Sequence, residues 1–157
     1  MTKHLYDLKY IKIVGDILYL PEYQNMKEYD HHGGSCLEHS VRVSYISYKI
    51  GKALNFDYTA LARAGLLHDF ILFDKKELKM NPKLYLYLLN NHPDFALKYS
   101  KDYFKVNKKE ENIITSHMFP LGNTFPVYKE SWLLTIVDKL VAVYDKLYSI
   151  NKKIVNN

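Results

Sequence analysis

The sequence contains a single cysteine, Cys36, among its 157 residues. One thiol cannot form a disulfide within the chain, so we expect a fold that does not depend on covalent cross-links. Cysteine usage of this kind is typical of proteins from a reducing compartment, and it predicts a cytoplasmic location.

Long apolar runs are also missing. The apolar stretches are only a few residues long, whereas a membrane-spanning helix needs about 20 consecutive apolar residues. The first ten residues, MTKHLYDLKY, contain no long apolar segment and no small-residue cleavage site, so they do not predict a signal peptide. We therefore expect no membrane partner.

Arginine is scarce, because only Arg42 and Arg63 stand among the 22 Lys and Arg residues. The net charge of +5 comes mainly from dispersed lysines, and no dense basic cluster predicts a nucleic-acid partner. A positive field can still attract a phosphate-bearing ligand. The chain also lacks a glycine-rich phosphate loop and any run long enough for a dinucleotide-binding sheet.

The apolar residues that are present recur at intervals of three and four, which predicts helices. Helices are expected at about 4–19, 36–54, 58–68, 93–104, 108–117 and 129–149, with shorter ones at 21–29 and 84–89. Asp57 and Asn107 provide N-cap signals, and Glu110 completes a capping box with Asn107. The sequence predicts an all-α, single-domain helical bundle over 1–150, followed by a frayed tail at 151–157.

Histidines and aspartates occupy the ends and interiors of several predicted helices. His68 and Asp69 end the apolar stretch TALARAGLLHDF, and the other candidates on separate helices are His39, His92, His117 and Asp138. A single histidine at a helix end is more often a cap than a ligand. Facing helices of a bundle can instead combine such side chains into a metal site. The residues alone leave both interpretations open.

The ordered set of these residues resembles a known family. The order His39, then His68 and Asp69, then Asp138 is similar to the HD-domain superfamily of metal-dependent phosphohydrolases. The contexts EHSVRVSYIS, RAGLLHDF, NNHPDFALK, ITSHMFPL and LLTIVDKLVAVYDKL extend the resemblance over about 10–150. His92 and His117 resemble the additional ligands of two-metal members. SHMFPL and VDK resemble more narrowly a group of small Firmicute HD proteins.

The resemblance implies a ligand set and cofactors. A first metal would be held by His39, His68, Asp69 and Asp138. Asp69 would bridge to a second metal that His92 and His117 complete, and the His68–Asp69 pair would form the catalytic centre. Imidazole and carboxylate ligands suit Fe, Mn, Zn, Co or Ni, so one or two divalent ions of this kind are expected, with Mg as a further option.

Residues on the substrate side are less closely specified. His32 falls where the narrower group carries a histidine, so it would contact the second metal or a substrate phosphate, or serve only the loop. Arg42 lies one helical turn after His39 and would either clamp phosphate or pair with an acid. Lys139 has a stem long enough to reach the pocket rim. Glu38 is a candidate acceptor for the second nitrogen of a ligand histidine.

The expected function is metal-dependent hydrolysis of a phosphoester of a small molecule, with a nucleotide as the expected substrate class. A metal pair suits this reaction because it lowers the pKa of a bound water and neutralises phosphoryl oxygens. Two alternatives stay open, namely a di-iron HD-type oxygenase and a non-catalytic metal-binding regulatory domain. The missing GYP signature argues against cyclic-dinucleotide substrates. The sequence makes no prediction of the oligomeric state.

Overall fold

The computed structural model describes residues 6–31, 34–71 and 81–155. Its helices are α1 (Leu8–Leu18), α2 (Pro21–Gln24) with a following 3₁₀ turn (Asn25–Glu28), α3 (Cys36–Ala53), α4 (Tyr58–Leu67), α5 (Pro82–Tyr103), α6 (Lys108–Ser116) and α7 (Lys129–Val155). Two short strands, β1 (Asp30–His31) and β2 (Gly34–Ser35), pair antiparallel ahead of α3. The expected all-α fold is confirmed.

Helix starts follow the capping signals in the sequence. The Asp57 side chain accepts a hydrogen bond from the Ala60 amide at 3.0 Å and begins α4. Asn107 accepts from the Glu110 amide at 3.0 Å, and Glu110 accepts from the Asn107 amide at 2.9 Å, so the capping box at the start of α6 is present. These caps satisfy amides that have no partner inside the helix.

The predicted break before Pro93 is wrong. The separate helices expected at 84–89 and 93–104 form one helix, α5, and Pro93 lies inside it. A proline in a helix interior removes one backbone hydrogen bond, which is why a helix start was expected. Burial of Leu88 and Ala96 on either side of Pro93 favours the continuous helix. His92 therefore stands in the middle of α5.

Two other helix ends differ from expectation. The first helix begins at Leu8 rather than near residue 4, because Asp7 accepts a hydrogen bond from the Tyr10 amide at 3.1 Å and caps it. The last helix, α7, continues to Val155 rather than ending near 149. The assignment of a domain over 1–150 and a frayed tail over 151–157 stays a prediction.

A close contact between α3 and α4 fixes the position of the site. A Cβ atom on Gly65 of α4 would lie 2.6 Å from Ser44 Cα of α3, so only glycine permits this approach. Ser44 Oγ donates to the Ala62 carbonyl at 2.6 Å and accepts from the Tyr10 hydroxyl at 2.7 Å. These bonds tie α1, α3 and α4 together, and Gly65 lies one turn before His68.

Helix α4 is the central element of the bundle. It packs against α1, α3, α6 and α7, and its buried residues are Ala60, Leu61, Ala62, Ala64, Gly65, Leu66 and Leu67. Because α4 is enclosed, the two residues that follow it, His68 and Asp69, lie in the interior between α3, α6 and α7. Within the described ranges, no helix combines the length and apolar character that a membrane crossing requires.

Candidate metal centre

Two histidines end helices in the same way and point the same ring nitrogen into the interior. His68 is the C-cap of α4, and its Nδ1 lies 2.9 Å from the Gly65 carbonyl oxygen. His117 is the C-cap of α6, and its Nδ1 lies 2.7 Å from the Ile114 carbonyl oxygen. A carbonyl can only accept, so each Nδ1 donates its proton to the carbonyl and Nε2 is the ring nitrogen left to bind an ion.

His39 lies on α3 and faces α7. Its Nε2 atom is 2.9 Å from Asp138 Oδ1, and its ring is 1% exposed. The same Asp138 oxygen is 3.5 Å from His68 Nε2. Helices α3, α4 and α7 thus each contribute one side chain to a single buried point.

Asp69 stands between two groups of histidines. Its Oδ2 atom is 3.3 Å from His68 Nε2, while its Oδ1 atom is 3.5 Å from His92 Nε2 and 3.6 Å from His117 Nε2. The two oxygens of one carboxylate therefore face two different sets of imidazoles. A carboxylate placed in this way can bind two ions at once.

The side chains form two clusters with metal-ligating geometry. One contains His39, His68 and Asp69, and the other contains Asp69, His92 and His117, with all ligand atoms of a cluster within 4.8 Å of one another. We call the first cluster together with Asp138 site 1, and the second cluster site 2. Among the described residues, the structure therefore brings together all six ligands that the family resemblance implies.

The electrostatics of site 1 are dominated by its carboxylates. Burial lowers the pKa of His68, but the charges of Asp69 and Asp138 outweigh burial and raise that pKa well above its usual value. Burial has the opposite effect on Asp138 and raises its pKa. Hydrogen bonds with His39 and His68 outweigh burial and hold the pKa of Asp138 well below its usual range. Without an ion, a proton on His68 supplies positive charge that the aspartates attract.

Site 2 behaves differently, because at His117 burial outweighs the charge of Asp69, whose Oδ1 lies 3.6 Å from Nε2. Burial, followed by the charge of His68, lowers the pKa of His117 from 6.5 to about 4. His117 is therefore neutral at physiological pH. Its Nε2 lies 2.9 Å from His92 Nε2, so two imidazole nitrogens converge where a cation could use both lone pairs.

The donor set fits divalent cations. His68 Nε2 is buried and faces carboxylate oxygens of Asp69 at 3.3 Å and Asp138 at 3.5 Å. Without an ion, a proton on Nε2 offsets these carboxylates, and a divalent cation bound by Nε2 and the carboxylate oxygens would replace that proton. The geometry of both sites thus suits metal ions held by histidine and aspartate.

Two of the residues expected on the substrate side, Arg42 and Lys139, lie at different places around the two sites. Arg42 forms an ion pair with Asp145, which corresponds to the expected alternative of pairing with an acid. The Lys139 ammonium donates to the His117 carbonyl at 2.9 Å, close to site 2, and burial lowers its pKa although Asp138 opposes the shift. His32 lies outside the described residues. Roles for these residues toward substrate stay predictions.

Asp145 is the residue that the sequence interpretation missed. Its Oδ2 atom lies 3.0 Å from His39 Nδ1, the position for which Glu38 was the candidate. Glu38 is exposed in the first turn of α3, and the Glu38 assignment is therefore wrong. One signal was available, because Asp145 follows Asp138 by two helical turns and so shares its helix face.

Comparison with known proteins agrees with the site. A scan against protein families matched residues 36–149 to the HD domain, which is more than two thirds of the chain and includes all six residues of sites 1 and 2. No curated protein and no solved structure matched. HD domains bind divalent metal ions, and they are usually metal-dependent hydrolases. The chain belongs to the HD domain family.

Proposed function

We propose that the protein is a two-metal phosphohydrolase that cleaves a phosphoester of a small molecule, with nucleotides as the substrate class. The single observation that carries this proposal is the position of Asp69, whose two oxygens face site 1 and site 2 separately. A carboxylate that bridges two ions is the usual device for holding a metal pair at roughly 3.5–4 Å.

The residues of the chain would prepare both ions for an anionic substrate. Divalent ions, when bound, would lower the pKa of a water molecule and neutralise charge on phosphoryl oxygens. Four neutral imidazoles and two carboxylates, Asp69 and Asp138, leave two divalent ions with net positive charge. This excess favours a phosphate ester over a neutral substrate.

Orientation of the ligands also supports catalysis. His68 and His117 each hold the protonated Nδ1 against a backbone carbonyl of their own helix, which fixes the ring plane and directs Nε2 inward. Such contacts to the second nitrogen increase the basicity of a ligand histidine and reduce its freedom. Lys139, with its ammonium on the His117 carbonyl, adds a positive charge beside site 2.

The test is a substrate screen with defined metal content. Purified protein is stripped with chelator, reloaded with Mn²⁺ under anaerobic conditions, and incubated with nucleoside mono-, di- and triphosphates and with simple phosphomonoesters. We expect phosphate release that depends on Mn²⁺ and is lost in Asp69→Asn. The matched control is Asp102→Asn, which makes the same substitution at an exposed position in the last turn of α5.

Other outcomes would identify a different function. Consumption of O₂ by the iron-loaded protein, with no phosphate release under any metal, would contradict the hydrolase and support a di-iron oxygenase. Binding of metal with neither activity across the whole panel would support a regulatory domain. Phosphate release from phosphomonoesters but not from nucleotides would retain the reaction and reject the substrate class.

A further inference from the structure

The side chains of Arg42, Asp145 and His39 contact one another in this order, from the partly exposed Arg42 to His39 in site 1. Arg42 and His39 lie one turn apart on α3, while Asp145 and Asp138 lie two turns apart on α7, so each pair shares a helix face. The faces meet at His39, whose Nε2 is 2.9 Å from Asp138 and whose Nδ1 is 3.0 Å from Asp145.

We propose that Asp145, held in place by Arg42, is a positioning residue that sets the metal affinity of site 1 through His39. The proposal rests on the metal centre of the proposed function and assigns a determinant of affinity outside the ligand set. Asp145 is 8% exposed and contacts His39 at Nδ1, whereas Nε2 of the same ring faces Asp138 and site 1, so Asp145 acts through the imidazole.

The chemistry of imidazole explains the role of Asp145. A neutral ring has one N–H group, and when Nδ1 donates it to Asp145 the lone pair is left on Nε2, which faces Asp138. Donation to a carboxylate fixes the tautomer and the ring plane and makes Nε2 a stronger ligand. The backbone carbonyls that hold His68 and His117 are neutral, so His39 differs from both in having an anionic partner.

Arg42 explains why Asp145 can remain charged in the interior. Its guanidinium contacts the second oxygen of Asp145, and it also lies over the Tyr144 ring with 5.5 Å between Cζ and the ring centroid. A buried carboxylate is costly unless it is paired, and an arginine that is always protonated provides a permanent partner. Loss of Arg42 would therefore leave Asp145 less well oriented toward His39.

A purely structural role makes a different prediction. If the Arg42–Asp145 pair only connects α3 to α7, its loss lowers the stability of the fold without a selective effect on metal binding. Glu130 offers the matched control, because it is a buried carboxylate on the same helix, 2% exposed. Glu130 accepts a hydrogen bond from the Asp57 amide at 2.9 Å and contacts neither site.

The experiment isolates site 1 by using His92→Ala as the background, so that one ion is titrated. Chelator-treated full-length protein is titrated with Mn²⁺ by calorimetry, and thermal unfolding is recorded in parallel. We expect Asp145→Asn to weaken Mn²⁺ binding by about 10–100-fold, the usual effect of removing a partner of a ligand histidine. Arg42→Gln should also weaken Mn²⁺ binding, but by a smaller factor. Glu130→Gln should lower the melting temperature without changing Mn²⁺ affinity.

A coupling measurement separates positioning from indirect damage. In a protein that also carries His39→Ala, Asp145→Asn should cause no further loss of affinity, because the imidazole through which it acts is gone. Unchanged Mn²⁺ affinity in Asp145→Asn would overturn the inference, as would an equal loss in Glu130→Gln. If Asp145→Asn does not fold, Arg42→Gln becomes the test, and unchanged Mn²⁺ affinity in that variant would overturn the inference. Absence of phosphoester hydrolysis would contradict only the proposed function, since the readout here is affinity.

Discussion

The two sites of the metal centre share Asp69 but differ in how the fold supports their other ligands. Site 1 takes His39, His68 and Asp138 from α3, α4 and α7, and their side chains are 1%, 0% and 12% exposed. Site 2 takes His117 from the end of α6 and His92 from α5, and the His92 side chain is 16% exposed. Both sites are therefore largely buried, and the most exposed of these side chains, His92, belongs to site 2.

This difference suggests a division of roles between the sites. Ligands fixed by packing and by hydrogen bonds to their second nitrogen lose little freedom when an ion binds, which favours affinity. A site with an accessible ligand allows ion exchange and the approach of substrate. We expect site 1 to hold its ion more tightly than site 2, and the substrate to approach from the His92 side.

The largest effect is expected from Asp69→Ala, because Asp69 is the residue that the two sites share. Both ions should be lost, and hydrolysis should fall by more than the roughly 100-fold that loss of an outer partner costs. Elemental analysis of the purified variant measures the metal content, with Asp102→Ala as the exposed control. Full parental metal content in Asp69→Ala would mean that Asp69 does not bridge.

Removal of one unshared ligand from each site should then separate them. His92→Ala should lose the ion of site 2 and retain that of site 1, so the metal content falls from two equivalents to one. His39→Ala should weaken binding of the site 1 ion and keep that of site 2, because His68, Asp69 and Asp138 remain around site 1. Metal analysis combined with calorimetric titration checks both variants. Loss of both ions in His92→Ala would show that the sites do not bind independently.

The sequence anticipated which side chains converge better than it anticipated the residues that hold them in place. His68 and His117 could be placed at helix ends from periodicity, and the family pattern grouped them with His39 and Asp138. Periodicity does not show what a second ring nitrogen contacts, because that depends on how helices far apart in sequence are packed. The Asp145 contact with His39 spans 106 residues, and nearby Glu38 was chosen only by proximity.

Helix α5 shows a second limit of sequence interpretation. Pro93 predicted a helix start, because proline is tolerated in the first turn and disfavoured in the interior. In the structure the helix passes through Pro93, with Leu88 and Ala96 buried on either side. Tertiary burial outweighed a local preference here, and it placed His92 in mid-helix, where it faces His117.

Protonation should distinguish the two sites in the metal-free protein. His68 has a pKa well above 6.5, so at pH 6 it carries a proton that a site 1 ion must displace, and binding weakens as pH falls below that pKa. His117 has a pKa of about 4, so at pH 6 it is already neutral and releases no proton on binding. Nitrogen chemical shifts of the two rings measure both states.

The opposite assignment would contradict this comparison. A neutral His68 ring at pH 6 in chelator-treated protein would show that Asp69 and Asp138 do not stabilise a proton there. A His117 ring that is protonated at pH 6 would remove the expected contrast in proton release.

The smallest effect is expected at the other end of the helix that carries His117. Asn107 caps the start of α6 with hydrogen bonds from two amides, whereas His117 ends α6 and also faces site 2. Asn107→Ala should cost about 1 kcal/mol of unfolding free energy, the usual value of an N-cap, and chemical denaturation measures it.

The metal content and hydrolysis rate of Asn107→Ala should match the parent, because α6 is buried along Ile113 and Ile114 and keeps its C-terminal end in place. Asn107→Asp is the conservative control, since aspartate is an equally good cap and should restore most of the lost stability. A loss of one metal equivalent in Asn107→Ala would show that the start of α6, and not only its end, determines where His117 lies. The N-cap would then help to hold His117 in site 2, and the support of that site would extend along the whole of α6.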